Sequence, residues 1–253
     1  MILHAREVGA GPPVVLLHGL FGMARNLGVI ARGLAPTHRV IALDLRNHGA
    51  SPHGLPMDYP TMAEDVFETL TALGALPCPV MGHSMGGKVA MIFSLVHPDA
   101  VSKLAVSDIS PVPYPPRNNP MVAAMQALPL RPGMTRAEAD AALAPDIPDD
   151  AQRGFLLLNL RLDGTPAWRI GLTEIAAGLP DVESWTAPEG AAYAGPTLFI
   201  AGALSAFIRP EHRPAIRTLF PAARFVTLKD AGHWVHVDNP AGFVSVMQAF
   251  LAG

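Results

Sequence analysis

Short β-rich apolar runs alternate with helix-period apolar stripes over the first hundred residues. Val14-Val15-Leu16-Leu17 and Val40-Ile41-Ala42-Leu43 are continuous apolar runs of strand length, the pattern of strands covered on both faces. Asn26 to Leu34 and Thr61 to Leu73 read as helices, the second carrying Met62, Val66, Phe67 and Leu70 at helical spacing. Thr61 followed by Glu64 reads as a capping box opening that helix. Pro79-Val80-Met81 is extended, Lys88 to Phe93 is helical, and the helix ends near His97-Pro98 because proline cannot continue the hydrogen-bond ladder. Leu104-Ala105-Val106 gives another buried strand. Such alternation predicts crossover units and an α/β architecture with a mostly parallel central sheet flanked by helices.

The pattern then changes. Pro111, Pro113, Pro115, Pro116 and Pro120 exclude an internal strand or helix over 111–120, which reads as a hinge. From there to about Ala194 the pattern is helical, with Met121, Met125 and Leu128, then Phe155 to Leu158, then Trp168, Ile170 and Ile175. Strand-like runs resume at Thr197 to Ile200 and Phe225 to Leu228, and a closing helix runs from about Pro240 to Leu251. An insertion between two strands of one sheet predicts a helical lid over 111–194 on a core of 1–110 and 195–253.

Composition narrows the function classes. Half of the 253 residues are apolar, 15 % are charged and the net charge is −3, which argues against a disordered chain or a nucleic-acid partner. The single cysteine, Cys78, allows no intramolecular disulfide and no cysteine-based zinc site, and reads as a packing residue at a strand start. His4, Arg6 and Glu7 interrupt any apolar leader, and no run approaches a membrane span, so a cytoplasmic protein is expected.

The candidate chemistry lies in Gly82-His83-Ser84-Met85-Gly86, between a strand and a helix. A serine in a sharp strand-to-helix turn needs neighbours without side chains, and its hydroxyl then stands at a helix N-terminus that favours developing negative charge. Such a hydroxyl is a poor nucleophile without a base and a third group fixing the base's tautomer. His233, in the loop after the last strand, is the expected base. His236 three residues on suggests a metal pair, but no third ligand accompanies it, so no metal is expected. His48, His53 and His97 read as surface or capping residues. The loop after Thr197 to Ile200 contains no carboxylate, and Glu211, the first acid downstream, looks like helix first-turn charge. Asp108, after the preceding strand, is therefore the expected orienting acid, with Glu211 the alternative. Backbone N–H groups of Met85 and Leu20 are the expected oxyanion donors, Phe21 being the neighbouring alternative to Leu20. Phe21 and Trp234 are expected beside the substrate. Asp44 to Ser51 reads as a scaffold turn.

With those residues placed, the chain resembles the α/β-hydrolase superfamily over nearly its whole length: His18-Gly19, Asp44 to Ser51, the Ser84 turn and Gly232-His233 stand in its order. The longer strings His18 to Gly22, Asn26-Leu27-Gly28, Arg46 to Gly49, Gly82 to Lys88 and Gly232 to His236 resemble small bacterial esterases of the YbfF type and their mitochondrial abhydrolase relatives. The resemblance implies a cofactor-free serine esterase acting on small-molecule esters with short or small apolar acyl groups, or on thioesters. It also implies an acid and a lid that follow the sixth strand, which supports Asp108. Ser84 excludes the superfamily's dehalogenases and epoxide hydrolases, which need a carboxylate there. An acyltransferase and a slow-turnover ligand receptor on the same three residues are the other expectations.

Overall fold

The apolar runs collect into one sheet whose two faces are both covered. The computed structural model describes residues 1–116 and 118–253. Its seven-stranded sheet comprises β1 (Ala5–Val8), β2 (Pro13–Leu17), β3 (Arg39–Leu43), β4 (Cys78–His83), β5 (Val101–Ser107), β8 (Thr197–Gly202) and β9 (Ala223–Leu228), in the order β1-β3-β2-β4-β5-β8-β9. A separate two-stranded ribbon joins β6 (Leu160–Arg161) to β7 (Ala167–Trp168). Only β1 runs antiparallel to its neighbour in the large sheet.

Alternation along each parallel strand splits the apolar residues between two layers. Val15, Leu17, Ile41, Leu43, Val80, Leu104, Val106 and Phe199 face a core shared with α2 (Tyr59–Ala72) and α3 (Met85–Val96). Val14, Leu16, Val40, Ala42, Met81, Ala105, Leu198 and Ile200 face the other way, against α1 (Gly28–Leu34) and the closing helix α10 (Pro240–Ala252). Between β5 and β8 the chain forms α4 (Asn119–Ala127), α5 (Arg136–Leu143), α6 (Asp150–Leu157), the ribbon and α7 (Leu172–Glu183), all on the α2–α3 side. After β8 come α8 (Arg213–Leu219) and, beyond β9, the single turn α9 (Val235–Asp238). No helix among the described residues is long and apolar enough to cross a membrane.

Several local expectations change. The insertion follows the fifth strand in chain order rather than the sixth, since only five sheet strands precede it. α2 opens two residues before Thr61: Asp58 caps it by accepting the Thr61 N–H at 2.7 Å, with Pro60 in the first turn, where no N–H is missed. Glu64 instead meets His97 Nε2 at 2.7 Å. Trp168 lies in the ribbon rather than a helix. Cys78 is buried at the start of β4, and burial pushes its thiol up to about 12.

The C-terminus of α7 is tied to the core through three successive carbonyls, groups that a helix leaves without internal partners. Val182 accepts from the Tyr59 hydroxyl at 2.5 Å, Glu183 from the Tyr114 amide at 2.9 Å and Ser184 from Lys88 Nζ at 2.6 Å. Lys88 sits on the helix that begins after Ser84, is 1 % exposed, and faces the rings of Tyr59, Tyr114 and Trp185 at 5.4, 5.0 and 5.9 Å. Burial pushes its ammonium down to about 7, and nearby Glu183 acts in the opposite sense. The carbonyl and the ring faces solvate the cation in place of water. Lys88→Met leaves the Ser184 carbonyl unpaired and is expected to lower stability by about 1–3 kcal/mol. Denaturant melts measure that loss, and limited proteolysis of the same variant is expected to cut first between residues 119 and 183.

Candidate active site

The register of the parallel strands assembles the site. His83 pairs with Ser107 and Ser107 with Ile200, so β4 and β5 end side by side. The next residues, Ser84 and Asp108, leave the sheet at the same level. The Ser84 N–H donates to the Ser107 carbonyl at 3.0 Å and the Asp108 N–H to the Ile200 carbonyl at 2.8 Å. Both turn sharply, with φ of 52° at each position, a left-handed conformation that non-glycine residues rarely adopt and that concentrates at functional sites.

The Ser84 turn is possible only because its neighbours lack side chains. A Cβ on Gly82 would stand 2.1 Å from the Gly86 carbonyl oxygen, and one on Gly86 would stand 2.5 Å from that of His18. The first turn of α3 therefore packs directly on β4 and on the end of β2, and Ser84 is held at the helix N-terminus.

Three of the expected residues form one line. Ser84 Oγ lies 2.9 Å from His233 Nε2, and His233 Nδ1 lies 2.8 Å from Asp108 Oδ2. Asp108 is fully buried, and its carboxylate also accepts from the Gly202 N–H at 3.1 Å and from the Ser205 hydroxyl. An acceptor so placed keeps the proton on Nδ1 and leaves Nε2 to accept from the Ser84 hydroxyl. The end of β8 and the loop after it, which has no acid of its own, thus supply donors to Asp108. Phe207 stacks on the His233 ring at 4.0 Å between centroids. Glu211 stands elsewhere, exposed on the turn Pro210–His212 and 3.7 Å from Arg209.

The loop after β2 lies against the same turn. The Phe21 N–H donates to His48 Nε2 at 3.1 Å, so that amide is engaged, whereas no described hydrogen bond uses the Leu20 amide. Met85 is the first residue of α3, where a helix N–H has no internal acceptor. Phe21 is buried with φ 62°, and its carbonyl accepts from Asn159 Nδ2 at 2.7 Å. Trp234 packs its ring 5.3 Å from that of Phe155 in α6.

Asp44 to Ser51 is a scaffold turn with a larger part than its composition suggested. Asp44 accepts from the Ala24 and Ala50 amides at 2.6 and 2.9 Å, and the Arg46 guanidinium holds Asp65 in a buried pair at 2.6 and 2.8 Å. His48 is fully buried, not a surface residue: its Nδ1–H donates to the Arg46 carbonyl at 2.8 Å while Nε2 accepts from Phe21. His18 repeats the scheme, donating to the Gly19 carbonyl at 2.8 Å and accepting from the Leu45 amide at 2.9 Å. His83, between Gly82 and Ser84, is buried as well and donates from Nε2 to the His233 carbonyl at 2.9 Å. The positions of these histidines, each beside an expected site loop or within the pentapeptide, were the signal that could have found them.

Residues 12–240 match the α/β hydrolase fold family. The chain belongs to that family. It is 39 % identical to the sn-1-specific diacylglycerol lipase ABHD11 of Mus musculus, over 95 % of this chain and 81 % of that protein. It is 36 % identical to Esterase YbfF of Escherichia coli strain K12, over 94 % of this chain and 92 % of that one. A solved structure described as a marine microorganism esterase superposes with a TM-score of 0.94 at 36 % identity, covering 98 % of this chain and 99 % of its own. The mostly parallel sheet and flanking helices are this family's fold.

Burial holds four histidines of this α/β hydrolase neutral. It lowers the pKa of His18, pushes His48 down to about 3 and His236 to about 4, and carries His83 well below the ordinary range. An unfolded chain protonates its histidines near pH 6.5, so below that pH the unfolded state binds protons that the folded state refuses. Stability is therefore expected to fall as the pH drops from about 6.5 toward 3, by up to about 1.4 kcal/mol per pH unit for each such histidine. Urea midpoints measured from pH 7 to pH 4 check this, and His48→Gln is expected to flatten the slope by one histidine's share.

Proposed function

We propose that this α/β hydrolase is a serine esterase that cleaves small-molecule carboxylic esters through an acyl-enzyme on Ser84. The observation that carries the reading is the continuous hydrogen-bonded line from Ser84 Oγ through His233 to buried Asp108, at 2.9 and 2.8 Å. His233 Nε2 takes the hydroxyl proton as Ser84 Oγ bonds to the ester carbonyl carbon. Asp108 keeps Nδ1–H in place and stabilises the imidazolium that forms. The Leu20 and Met85 amides receive the carbonyl oxygen as it gains charge, each worth about a hundredfold to a thousandfold in turnover. Collapse of the tetrahedral intermediate breaks the bond to the alkoxide, which leaves with the proton from His233. Water then repeats the sequence on the acyl-enzyme, releasing the acid and restoring Ser84. Every proton moves between chain, substrate and water.

In this reading residues 111–194 act as a lid over the acyl site. Its support is that α6 and the residues just after it reach the loop following β2: Asn159 holds the Phe21 carbonyl, and the Arg25 guanidinium holds the Leu158 carbonyl at 2.8 Å. Phe155 meets Trp234, the neighbour of His233. In this reading Phe21 and Trp234, neighbours of Leu20 and His233 in the chain, give the acyl group apolar walls.

Ser84→Ala is expected to abolish both fluorophosphonate labelling and hydrolysis of aryl esters; retained hydrolysis would refute the assignment. Asp108→Asn is expected to lower kcat by about 10⁴ through loss of the productive tautomer. Glu211→Gln should leave kcat unchanged, and steady-state kinetics with p-nitrophenyl acetate compares the two. The opposite ranking would move the acid to the later loop.

A further inference from the structure

His83 takes no part in the reaction just described, yet it is among the most constrained polar side chains in the molecule. It is the last residue of β4, 4 % exposed, with its ring 5.0 Å from that of His233 and 4.8 Å from that of His236. Its Nε2–H donates to the His233 carbonyl at 2.9 Å. Its Nδ1 edge lies against Gly19, where a Cβ would stand 3.0 Å from that nitrogen. One imidazole therefore touches the nucleophile's strand, the loop carrying the Leu20 amide and the backbone of the proposed base.

The loop bearing His233 shows why that contact matters. The carbonyls two before and one after His233 are held by backbone: Ala231 accepts from the Leu204 amide at 2.9 Å, and Trp234 from the Val237 and Asp238 amides at 2.7 and 2.9 Å. Among the described residues, the His233 carbonyl is held only by His83. The His233 ring is fixed at Nδ1 by Asp108, but a ring fixed at one atom still swings if its Cα shifts. Sliding of this loop would lengthen the contact from Nε2 to Ser84 Oγ, and misplacement by about 1 Å is enough to slow a reaction about a hundredfold.

We propose that His83 is a positioning residue that holds the His233 backbone against the nucleophile's own strand, so that base and nucleophile are registered to each other by a hydrogen bond between adjoining chain segments. The inference rests on the serine-esterase reading. Because His83 spans one residue of separation from Ser84, any movement of the nucleophile carries the anchor of the base with it. A side chain in this place has to donate from the far end of a short reach while remaining uncharged. A lysine or arginine there would set a fixed cation beside the imidazolium that forms on His233 during each turnover. Neutral imidazole donates without that repulsion.

The test compares His83→Leu, which removes the donor, with His83→Gln, which returns an amide N–H at nearly the same reach. Three quantities are measured on folded protein: kcat and KM for p-nitrophenyl acetate, and the second-order rate of Ser84 phosphonylation by a fluorophosphonate. His83→Leu is expected to lower kcat and the phosphonylation rate together by about 10- to 100-fold with KM little changed, because binding is intact and only the base is displaced. His83→Gln is expected to recover most of both rates. Should His83→Leu fail to fold, His83→Asn, whose amide is one methylene too short to reach the carbonyl, takes its place. Wild-type rates in a folded donorless variant, or equal impairment of the Gln and donorless variants, would overturn the proposal. Ser84→Ala separates the two readings. Its retention of hydrolysis would remove the esterase assignment itself, whereas an inert Ser84→Ala beside a fully active donorless variant would remove only the role of His83.

Discussion

The level at which the parallel strands stop fixes the whole site. β2, β4 and β5 pair so that Leu17 lies beside Gly82 and Gly82 beside Val106, which brings His18, Ser84 and Asp108 out of the sheet within one or two residues of a common row. A strand that slipped by a single residue would turn its own side chains to the opposite face and carry its site residue out of that row. Slippage is prevented by the covering of both faces, because every strand residue from Val14 to Leu17, and Val80 and Met81 in β4, has a place in one apolar layer or the other. The apolar pattern that folds the chain thus also sets the distances on which its chemistry depends.

On that sheet edge the structure accepts two unfavourable conditions side by side. Phe21, Asn47, Ser84 and Asp108 adopt positive φ, a strain of about 1–3 kcal/mol each for residues with a Cβ. His18, His48 and His83 are buried with both ring nitrogens committed or enclosed. The two conditions are connected. His48 holds the amide of strained Phe21, His18 holds the amide that follows Asp44, and His83 holds the carbonyl of His233. A neutral imidazole suits this role because it offers one donor and one acceptor on a rigid ring, and so can join two loops without bringing in a charge.

How much of this was legible follows from where each signal lies in the chain. β2, β3, β4 and β5 were readable because strands buried on both faces must be continuously apolar, and the Ser84 turn because its glycines are required within two residues of it. β1 was not readable: Ala5-Arg6-Glu7-Val8 is an exposed edge strand held by pairing with β3, not by its own apolar face. The sequence misplaces the start of α2 because Thr61 and Glu64 mimic a capping box, whereas Asp58, three residues earlier, caps the helix and Pro60 stands in its first turn. His48 reads as a surface or capping residue because its decisive partner, the Phe21 amide, is 27 residues away in sequence. Asp108 could be reached by elimination, since the later loop lacks a carboxylate. That this loop turns Gly202 and Ser205 toward the same aspartate depends on strand order, which local sequence does not state.

The insertion between β5 and β8 is anchored at two places, one on the loop after β2 and one on α3. Its α6 end reaches the loop after β2 through Asn159 and Arg25, and its α7 end reaches α3 through Lys88. An insertion joined only to the rim of the sheet could move without disturbing the loop after β2 or α3. This one cannot, because the Phe21 carbonyl lies one residue from the Leu20 amide and Lys88 lies one helical turn from Ser84. A large displacement of α6 or α7 has to break these contacts or move the loop after β2 and α3 with it. The positions of Ser84 and Leu20 are therefore coupled both to the sheet and to the insertion.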